Sequence, residues 1–151
     1  MKLNFKTIHG DQVNVTSHTL ESIKQNTSTQ VIVGTDSQTI GEHTTYVTAI
    51  AYKYGNNGVH YIISKQKLPR VNDLWTRLWK EAEYTIEVAE WMKTHLPSVN
   101  VTLDLDYNDD AFFKSNQLIS ATKGWAQSLG YKVNTKPECL IAGRAADYHC
   151  R

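Results

Sequence analysis

The sequence predicts an α/β fold in which three consecutive strands precede alternating helices and strands. Residues 31–38 begin with β-branched side chains, which predicts a strand that is buried on both faces. Two further β-rich runs, residues 46–54 and 59–65, are separated by a Gly-Asn-Asn-Gly spacer that is typical of a hairpin. From residue 72 the apolar residues recur with a helical period instead. The predicted order is β-β-β-α-β-α-β-α, which indicates a mixed sheet flanked by helices.

The first thirty residues are expected to form a short extension of this fold. They contain a brief alternating segment from Val13 to Val15, and Ser17 is a possible N-cap for a short helix through Leu20 and Ile23. No pattern in them indicates chemistry. We therefore expect a lid or an edge element.

The long helix predicted over residues 72–95 carries one unusual acid. Asn72 or Asp73 can cap its N-terminus, and Pro97 follows its end. Glu81 falls within the mostly apolar arc of this helix, whereas its other glutamates fall outside it. A carboxylate on an apolar face is costly unless it has a partner, so Glu81 is the helix acid most expected to have a function. The alternative is an edge residue that extends its charge into solvent.

The second half of the chain alternates helices with strands. Residues 99–106 alternate apolar and polar side chains, and a strand that follows a long helix can lie parallel to an earlier strand through a crossover. The next helix closes with Gly130 as a plausible C′ residue, residues 131–135 form a short strand, and residues 139–151 form a terminal helix. Small residues on the terminal helix would let it approach the sheet closely.

Four acids stand at the ends of these elements. Asp36 follows the first predicted strand, Glu81 lies on the long helix, Asp106 ends the fourth strand, and Asp147 lies on the last helix. If the first and fourth strands are neighbours, the four carboxylates converge. Asp104 shares a face with Asp106 and could compete as the fourth-strand acid. The alternative for Asp36 is that it only starts a turn.

Composition is that of an ordinary globular protein. The 151 residues, 40% of them hydrophobic, fit a single domain over residues 1–151 in which residues 1–30 form the extension. A formal net charge of +1 excludes a general attraction to polyanions, so such a partner must be held by local charge or by metal. Cys139 and Cys150 are too far apart on one predicted helix to pair. With no apolar run that could span a membrane and no signal peptide, we expect a cytoplasmic location.

Several short motifs stand in the order found in a known family. They are Gly34-Thr35-Asp36-Ser37-Gln38, Asp106-Tyr107-Asn108 followed by Lys114-Ser115, Gly130-Tyr131, and Lys136-Pro137 running on to Ala146-Asp147. Together they resemble the YkuK-type family of ribonuclease H-like proteins, over roughly residue 28 to the end. The resemblance implies a ribonuclease H-like α/β fold with a five-stranded mixed sheet of order 3-2-1-4-5 flanked by helices.

The same resemblance implies a site with two divalent metal ions. Asp36 would be the ligand shared by both ions, Glu81 and Asp106 would complete one side, and Asp147 the other. Hard oxygen ligands suit Mg²⁺ or Mn²⁺. The implied activity is hydrolysis of phosphodiester bonds in RNA, an RNA/DNA hybrid or structured DNA by a two-metal-ion mechanism. Arg144 stands where the family tends to have a small residue, and it could pair with Asp147 or contact a substrate phosphate.

A basic segment is a candidate for contact with nucleic acid. Residues 65–80 contain five basic residues and a single acid, with Trp75 and Trp79 interleaved, and could form a groove that follows a phosphate backbone. Alternatively, Trp75 belongs to the core and the lysines form an ordinary solvated face. The candidate substrate-binding residues are Ser37, Gln38, Arg77, Lys80, Lys136 and Arg144.

Two other functions remain open from the sequence. The chain could be a nucleic-acid-binding module on the same fold without catalytic turnover. It could also act through protein contacts on an aromatic surface that includes Trp91 and Trp125, with the acids serving only as caps and turns.

Overall fold

A computed structural model describes residues 3–55, 58–105, 112–135 and 141–150. Its strands are β1 (Phe5–Lys6), β2 (Gln12–Val13), β3 (Thr29–Ile40), β4 (His43–Tyr54), β5 (Val59–Pro69), β6 (Val101–Asp104) and β7 (Lys132–Asn134). Its helices are α1 (Val15–Gln25), α2 (Leu74–His95), α3 (Phe112–Ser128) and α4 (Ile141–Cys150). Among the described residues, no helix combines the length and the apolar character that crossing a bilayer requires.

All the described strands form one mixed sheet of order β2-β1-β5-β4-β3-β6-β7. Strands β3, β4 and β5 pair antiparallel, while β6 and β7 are added parallel to β3. The predicted order 3-2-1-4-5 is therefore confirmed for β3 to β7. The predicted count of five strands is corrected to seven, because β1 and β2 extend the sheet beyond β5. Each has only two residues, which is too short to leave a period-2 pattern in the sequence.

Several element boundaries differ from the predicted ones. Strand β4 begins at His43 and β5 continues to Pro69, because the two strands pair without interruption over that length. Helix α1 is capped by Asn14, whose side chain accepts a hydrogen bond from the Ser17 backbone N–H at 3.0 Å, so the predicted Ser17 cap is wrong. Helix α2 begins as expected, with Asp73 as its N-cap.

The sheet carries a core on each face, and the pleat of β3 separates them. Val31 and Val33 face the larger core with α2, whereas Ile32 faces a smaller core with α4. The residues that α4 presents to the sheet are small, as the sequence suggested: Ala142, Ala145, Ala146 and Cys150. The helix therefore lies very close to β3. A Cβ atom on Gly34 would lie 2.9 Å from the backbone nitrogen of Gly143.

This close approach predicts that Gly34→Ala destabilises the protein. The added methyl would also lie 3.1 Å from Cβ of Asp104, so α4 must shift, which costs about 1–3 kcal/mol. Gly124→Ala is the matched control, because nothing lies within 4 Å of a Cβ there and alanine favours a helix by about 0.5–1 kcal/mol. Urea denaturation of both variants measures the difference. Equal stability of Gly34→Ala and wild type would contradict the described packing.

A cluster of polar and aromatic side chains joins α1 to the hairpin of β4 and β5. Thr19 Oγ1 and Tyr52 OH are 2.7 Å apart, and His18 Nε2 lies 2.9 Å from His60 Nε2. The ring of His60 also stacks on Tyr52 and is hydrogen-bonded by Tyr54 OH. Burial lowers the pKa of both histidines, and the neighbouring His18 lowers that of His60 further. The folded state therefore favours the neutral pair.

Stability should consequently depend on pH below neutrality. Because the folded state lowers both histidine pKa values, the unfolded chain binds more protons once the pH falls below about 6.5. The contribution of the pair is complete above that pH and is lost as the pH decreases through it. Urea denaturation between pH 7.5 and pH 5 should show a smaller decrease for His18→Gln than for wild type. The exposed His9 provides the control His9→Gln, and a decrease in His18→Gln equal to that of wild type would contradict this role.

Candidate functional site

Asp36 lies where the central strand β3 leaves its parallel neighbour. The last residue of β6, Asp104, pairs with Gly34, and β3 then continues to Ile40 with β4 as its partner. Among the described residues, the other edge of β3 has no strand partner beyond Gly34. Asp36 is two residues past this point and is partly exposed. This is the kind of position at which α/β proteins place binding sites.

Glu81 approaches the same point from α2. It is only 4% exposed, and Ser37 Oγ donates a hydrogen bond of 2.6 Å to its Oε2. A short hydrogen bond to an ionised group is stronger than a neutral one and fixes the carboxylate. Burial, and next the charge of Glu81, raise the pKa of Tyr46 to about 12, which places the Tyr46 phenol close to this acid. Glu81 is therefore a buried acid with an assigned partner, not an edge residue extended into solvent.

Helix α4 brings a third acid, Asp147, to this end of the sheet. The thiol of Cys150, at the end of α4, is buried, and the backbone of Val47 hydrogen-bonds it. Burial raises its pKa to about 12, and the charges of Asp36, Glu81 and Asp147 raise it as well. Because the electrostatic effect of a charge decreases with distance, the acids on β3, α2 and α4 are near enough to this thiol to affect its pKa.

Asp104 has a different environment from these acids. It is 1% exposed, and its Oδ2 accepts hydrogen bonds from the backbone N–H groups of Ala142 at 2.8 Å and Gly143 at 3.3 Å. Its Oδ1 accepts a third hydrogen bond from Asn134 Nδ2 at 3.1 Å. A carboxylate at a helix N-terminus satisfies N–H groups that have no partner within the helix. Asp104 thus anchors the first turn of α4. Asp106, the other candidate on this strand, lies outside the described residues.

The candidate substrate-binding residues are distributed over both faces of the sheet. Ser37 is bound to Glu81, and Arg77 Nη1 lies 3.5 Å from Thr39 Oγ1 on the same face. Lys80 forms an ion pair of 3.7 Å with Glu83. The alternation of β3 places Gln38 on the opposite face, toward α4, where Arg144 is exposed. Lys136 lies outside the described residues.

The basic segment 65–80 does not form one continuous groove. Lys65 and Lys67 project from β5 toward the side of α4, whereas Arg77 and Lys80 belong to α2 on the other side. Of the two tryptophans, Trp79 stacks against Trp125 with ring centroids 5.7 Å apart, and Trp75 is 39% exposed. The pairing of β5 with β4 thus divides a segment that looks uniform in sequence.

A cavity of about 420 Å³ lies at the opposite end of the sheet from the acids. It is lined by residues that precede and begin β6, among them Pro97 and Val101, and by Gly130 to Lys132. No residue of the acidic group borders it.

The described acids do not by themselves form a complete metal site. Within residues 3–55, 58–105, 112–135 and 141–150, no three His, Cys, Asp or Glu side chains are close enough together to hold an ion. The three acids that affect the Cys150 pKa, Asp36, Glu81 and Asp147, nonetheless carry carboxylates, which are the ligands that Mg²⁺ and Mn²⁺ prefer. Asp106 follows β6 two residues later in sequence and lies outside the described residues.

Comparison with known proteins adds one finding to this geometry. A protein-family model described as Ribonuclease H-like matches residues 14–151, which is most of the chain. No curated protein matches the chain. The matched range includes every strand of the sheet from β3 to β7 and each of the acids discussed above.

The hydrogen bond between Ser37 and Glu81 predicts a measurable stability effect. Ser37→Ala removes a donor from a buried carboxylate and should lower the free energy of unfolding by about 1.5–3 kcal/mol. Ser37→Thr keeps the hydroxyl and should restore most of it. The exposed Ser120 supplies the control Ser120→Ala, expected to change stability by less than about 0.5 kcal/mol. Chemical denaturation measures all three variants, and a neutral Ser37→Ala would rule out a stabilising role.

Proposed function

This chain belongs to the ribonuclease H-like family, and from that premise we propose that it is a metal-dependent nuclease. Its substrate would be the phosphodiester bond of RNA, an RNA/DNA hybrid or structured DNA. One observation carries the proposal most directly: Asp36 lies just past the point where β6 ends beside β3, and the next residue, Ser37, holds the buried acid Glu81 of α2. Acids of like charge repel one another, so their grouping is typical of a functional site.

The chemistry of these side chains fits divalent cations. Asp36, Glu81 and Asp147, joined by Asp106 from the segment after β6, would hold two Mg²⁺ or Mn²⁺ ions through hard oxygen ligands. When bound, such a pair of ions activates a water and stabilises the charge on the leaving oxygen. No nucleophilic side chain is needed in this scheme, which agrees with the high pKa of the buried Cys150 thiol.

The remaining residues of the site would act by positioning the acids. The Ser37 hydroxyl restrains one oxygen of Glu81 and so limits the rotamers of its carboxylate. Asp104 holds the first turn of α4, and a helix is rigid over the seven residues from Ile141 to Asp147, a rise of about 9 Å. These two contacts reduce the entropy lost when the site binds its ligands.

A second candidate function is a nucleic-acid-binding module without catalytic turnover. It is favoured by the observation that no three described side chains are close enough to hold a metal ion. Under this alternative, the acids around Asp36 bind one ion at most.

A cleavage assay tests the proposed activity. Labelled single-stranded RNA, RNA/DNA hybrid, duplex and four-way junction are incubated with Mg²⁺ or Mn²⁺ and with wild type, Asp36→Asn or Asp147→Asn. Each substitution keeps the shape and removes the charge, and we expect cleavage to decrease by more than about a hundredfold, as when a group that stabilises transition-state charge is lost. Glu87→Gln, on the exposed side of α2, is the control and should retain activity.

Calorimetry with Mn²⁺ separates the two candidate functions. Metal binding that is weakened in Asp36→Asn, together with metal-dependent cleavage, supports the nuclease. Binding of nucleic acid without cleavage on any substrate supports the module instead. Cleavage that survives unchanged in both Asp36→Asn and Asp147→Asn would overturn the proposed catalytic role of these acids.

A further inference from the structure

The face of the sheet that carries α4 is only partly covered by that helix. Helix α4 ends at Cys150, whose thiol is hydrogen-bonded by the backbone of Val47, and Val47 pairs with Asp36. Beyond this row the strands continue: β3 to Ile40, β4 back to His43 and β5 to Pro69. Ile40 is 63% exposed on this stretch, whereas Thr44 and Tyr46, on the opposite face, are buried. An open surface therefore adjoins Asp36.

Two lysines project from this open surface. The cross-strand register runs from Asp36 through Val47 to Lys65 in one row, and from Gln38 through Thr45 to Lys67 in the next. Both lysines are exposed. Since neighbouring strands lie about 4.8 Å apart, each lysine is rooted about 10 Å across the sheet from β3. Along β5 the two lysines are separated by about 7 Å.

Contacts of α4 show that the end of this helix lies against the face of β5 that carries Lys65. The Tyr61 hydroxyl on β5 lies 2.9 Å from Nε2 of His149 on α4, so the end of this helix contacts β5. Lys65 lies four residues after Tyr61 on β5, so both side chains project from the same face of the sheet. Asp147 precedes His149 by two residues. The lysines and the acids thus border the same open surface.

Of the two rows between β3 and the lysines, the one that ends at Lys67 is polar, whereas Val47 lies between Asp36 and Lys65. Thr45 stands between Gln38 and Lys67 in its row, and it is partly exposed. Within the described part of the chain, Oε1 of Gln38 is buried and has no hydrogen-bond partner. A buried acceptor without a partner is costly, but a phosphodiester has only acceptors and cannot supply the missing donor. The two exposed lysines are therefore the groups of this surface that suit a phosphate backbone.

We propose that Lys65 and Lys67 form a subsite for the substrate strand, binding phosphates next to the one that lies at Asp36. The strand crosses the open ends of β3, β4 and β5, with Gln38 and Thr45 beneath it. This inference rests on the proposed function, because it assumes a nucleic-acid substrate. The inference extends the proposed function because it assigns the contact with the substrate's phosphate backbone to Lys65 and Lys67 of β5. It does not assign this contact to Arg77 and Lys80 on the other face of the sheet.

The salt dependence of binding tests this subsite without requiring cleavage. Each phosphate contact contributes about 0.7 to the slope of log K against log salt for a single strand. Loss of both contacts in Lys65→Gln/Lys67→Gln should therefore reduce the slope by about 1.4 in fluorescence-anisotropy titrations with labelled single-stranded RNA in EDTA. Lys65→Arg/Lys67→Arg keeps both charges and should keep the slope.

The control variant removes two positive charges, as the test variant does, but from other parts of the surface. Lys24 on α1 and Lys132 on β7 are exposed, and Lys24→Gln/Lys132→Gln should leave the slope unchanged. Thermal unfolding of every variant establishes that it is folded, and substitutions of exposed lysines are expected to cost less than about 0.5 kcal/mol.

The outcomes separate this subsite from the nuclease proposal. A reduced slope in Lys65→Gln/Lys67→Gln alone supports the subsite. A slope equal to that of wild type, with cleavage intact in wild type, overturns the subsite and leaves the nuclease standing. A slope that decreases as much in Lys24→Gln/Lys132→Gln overturns the subsite too, because general charge then explains the binding. Absence of RNA binding by wild type in EDTA overturns the subsite, and the cleavage assay with Mg²⁺ or Mn²⁺ then decides the nuclease proposal separately.

Discussion

The carboxylate of Asp104 is the contact on which the geometry of the site depends. It is buried at the end of β6 and accepts hydrogen bonds from two backbone N–H groups in the first turn of α4. The dipole of the helix and these donors together compensate a charge that would otherwise be too costly to bury. Gly34, its neighbour on β3, has no side chain and so lets the helix approach. Because both contacts hold the beginning of α4, the acid near its end is placed relative to the sheet.

Because β3 is pleated, its adjacent residues face opposite sides of the sheet. Asp36 faces the side of α4, whereas Ser37 faces α2 and binds Glu81. Acids from opposite sides of the sheet can nevertheless act on one thiol, because β6 ends at Asp104 and no described strand pairs with this edge of β3 beyond Gly34. The same alternation divides the basic residues of β5 and α2 between the two faces. The part of β3 that extends past β6 thus contributes side chains to both faces of the sheet.

The features that follow from local pattern could be predicted from the sequence. The succession of strands and helices follows from periodicity, and the burial of Glu81 follows from its place on a helical arc. The sheet order of β3 to β7 is what the resemblance to ribonuclease H-like proteins implies. Features that depend on contacts between distant residues could not be predicted. Asp104 and Ala142 are 38 residues apart, and nothing near Asp104 in sequence indicates that it caps a helix. The distribution of the basic residues of 65–80 over two faces of the sheet likewise depends on how β5 pairs with β4, which local sequence does not specify.

The long sequence separation of these contacts has a consequence for folding. Gly34 meets Gly143, and Asp104 meets Ala142, so the site joins segments that are far apart along the chain. Contacts of this kind carry a loop-closure entropy, so we expect them to form after local structure such as the β3–β4–β5 meander. On this expectation the mutually repelling carboxylates come together late in folding. The sheet can then fold before the acids repel one another, and the packing of α4 on the sheet has to overcome this repulsion.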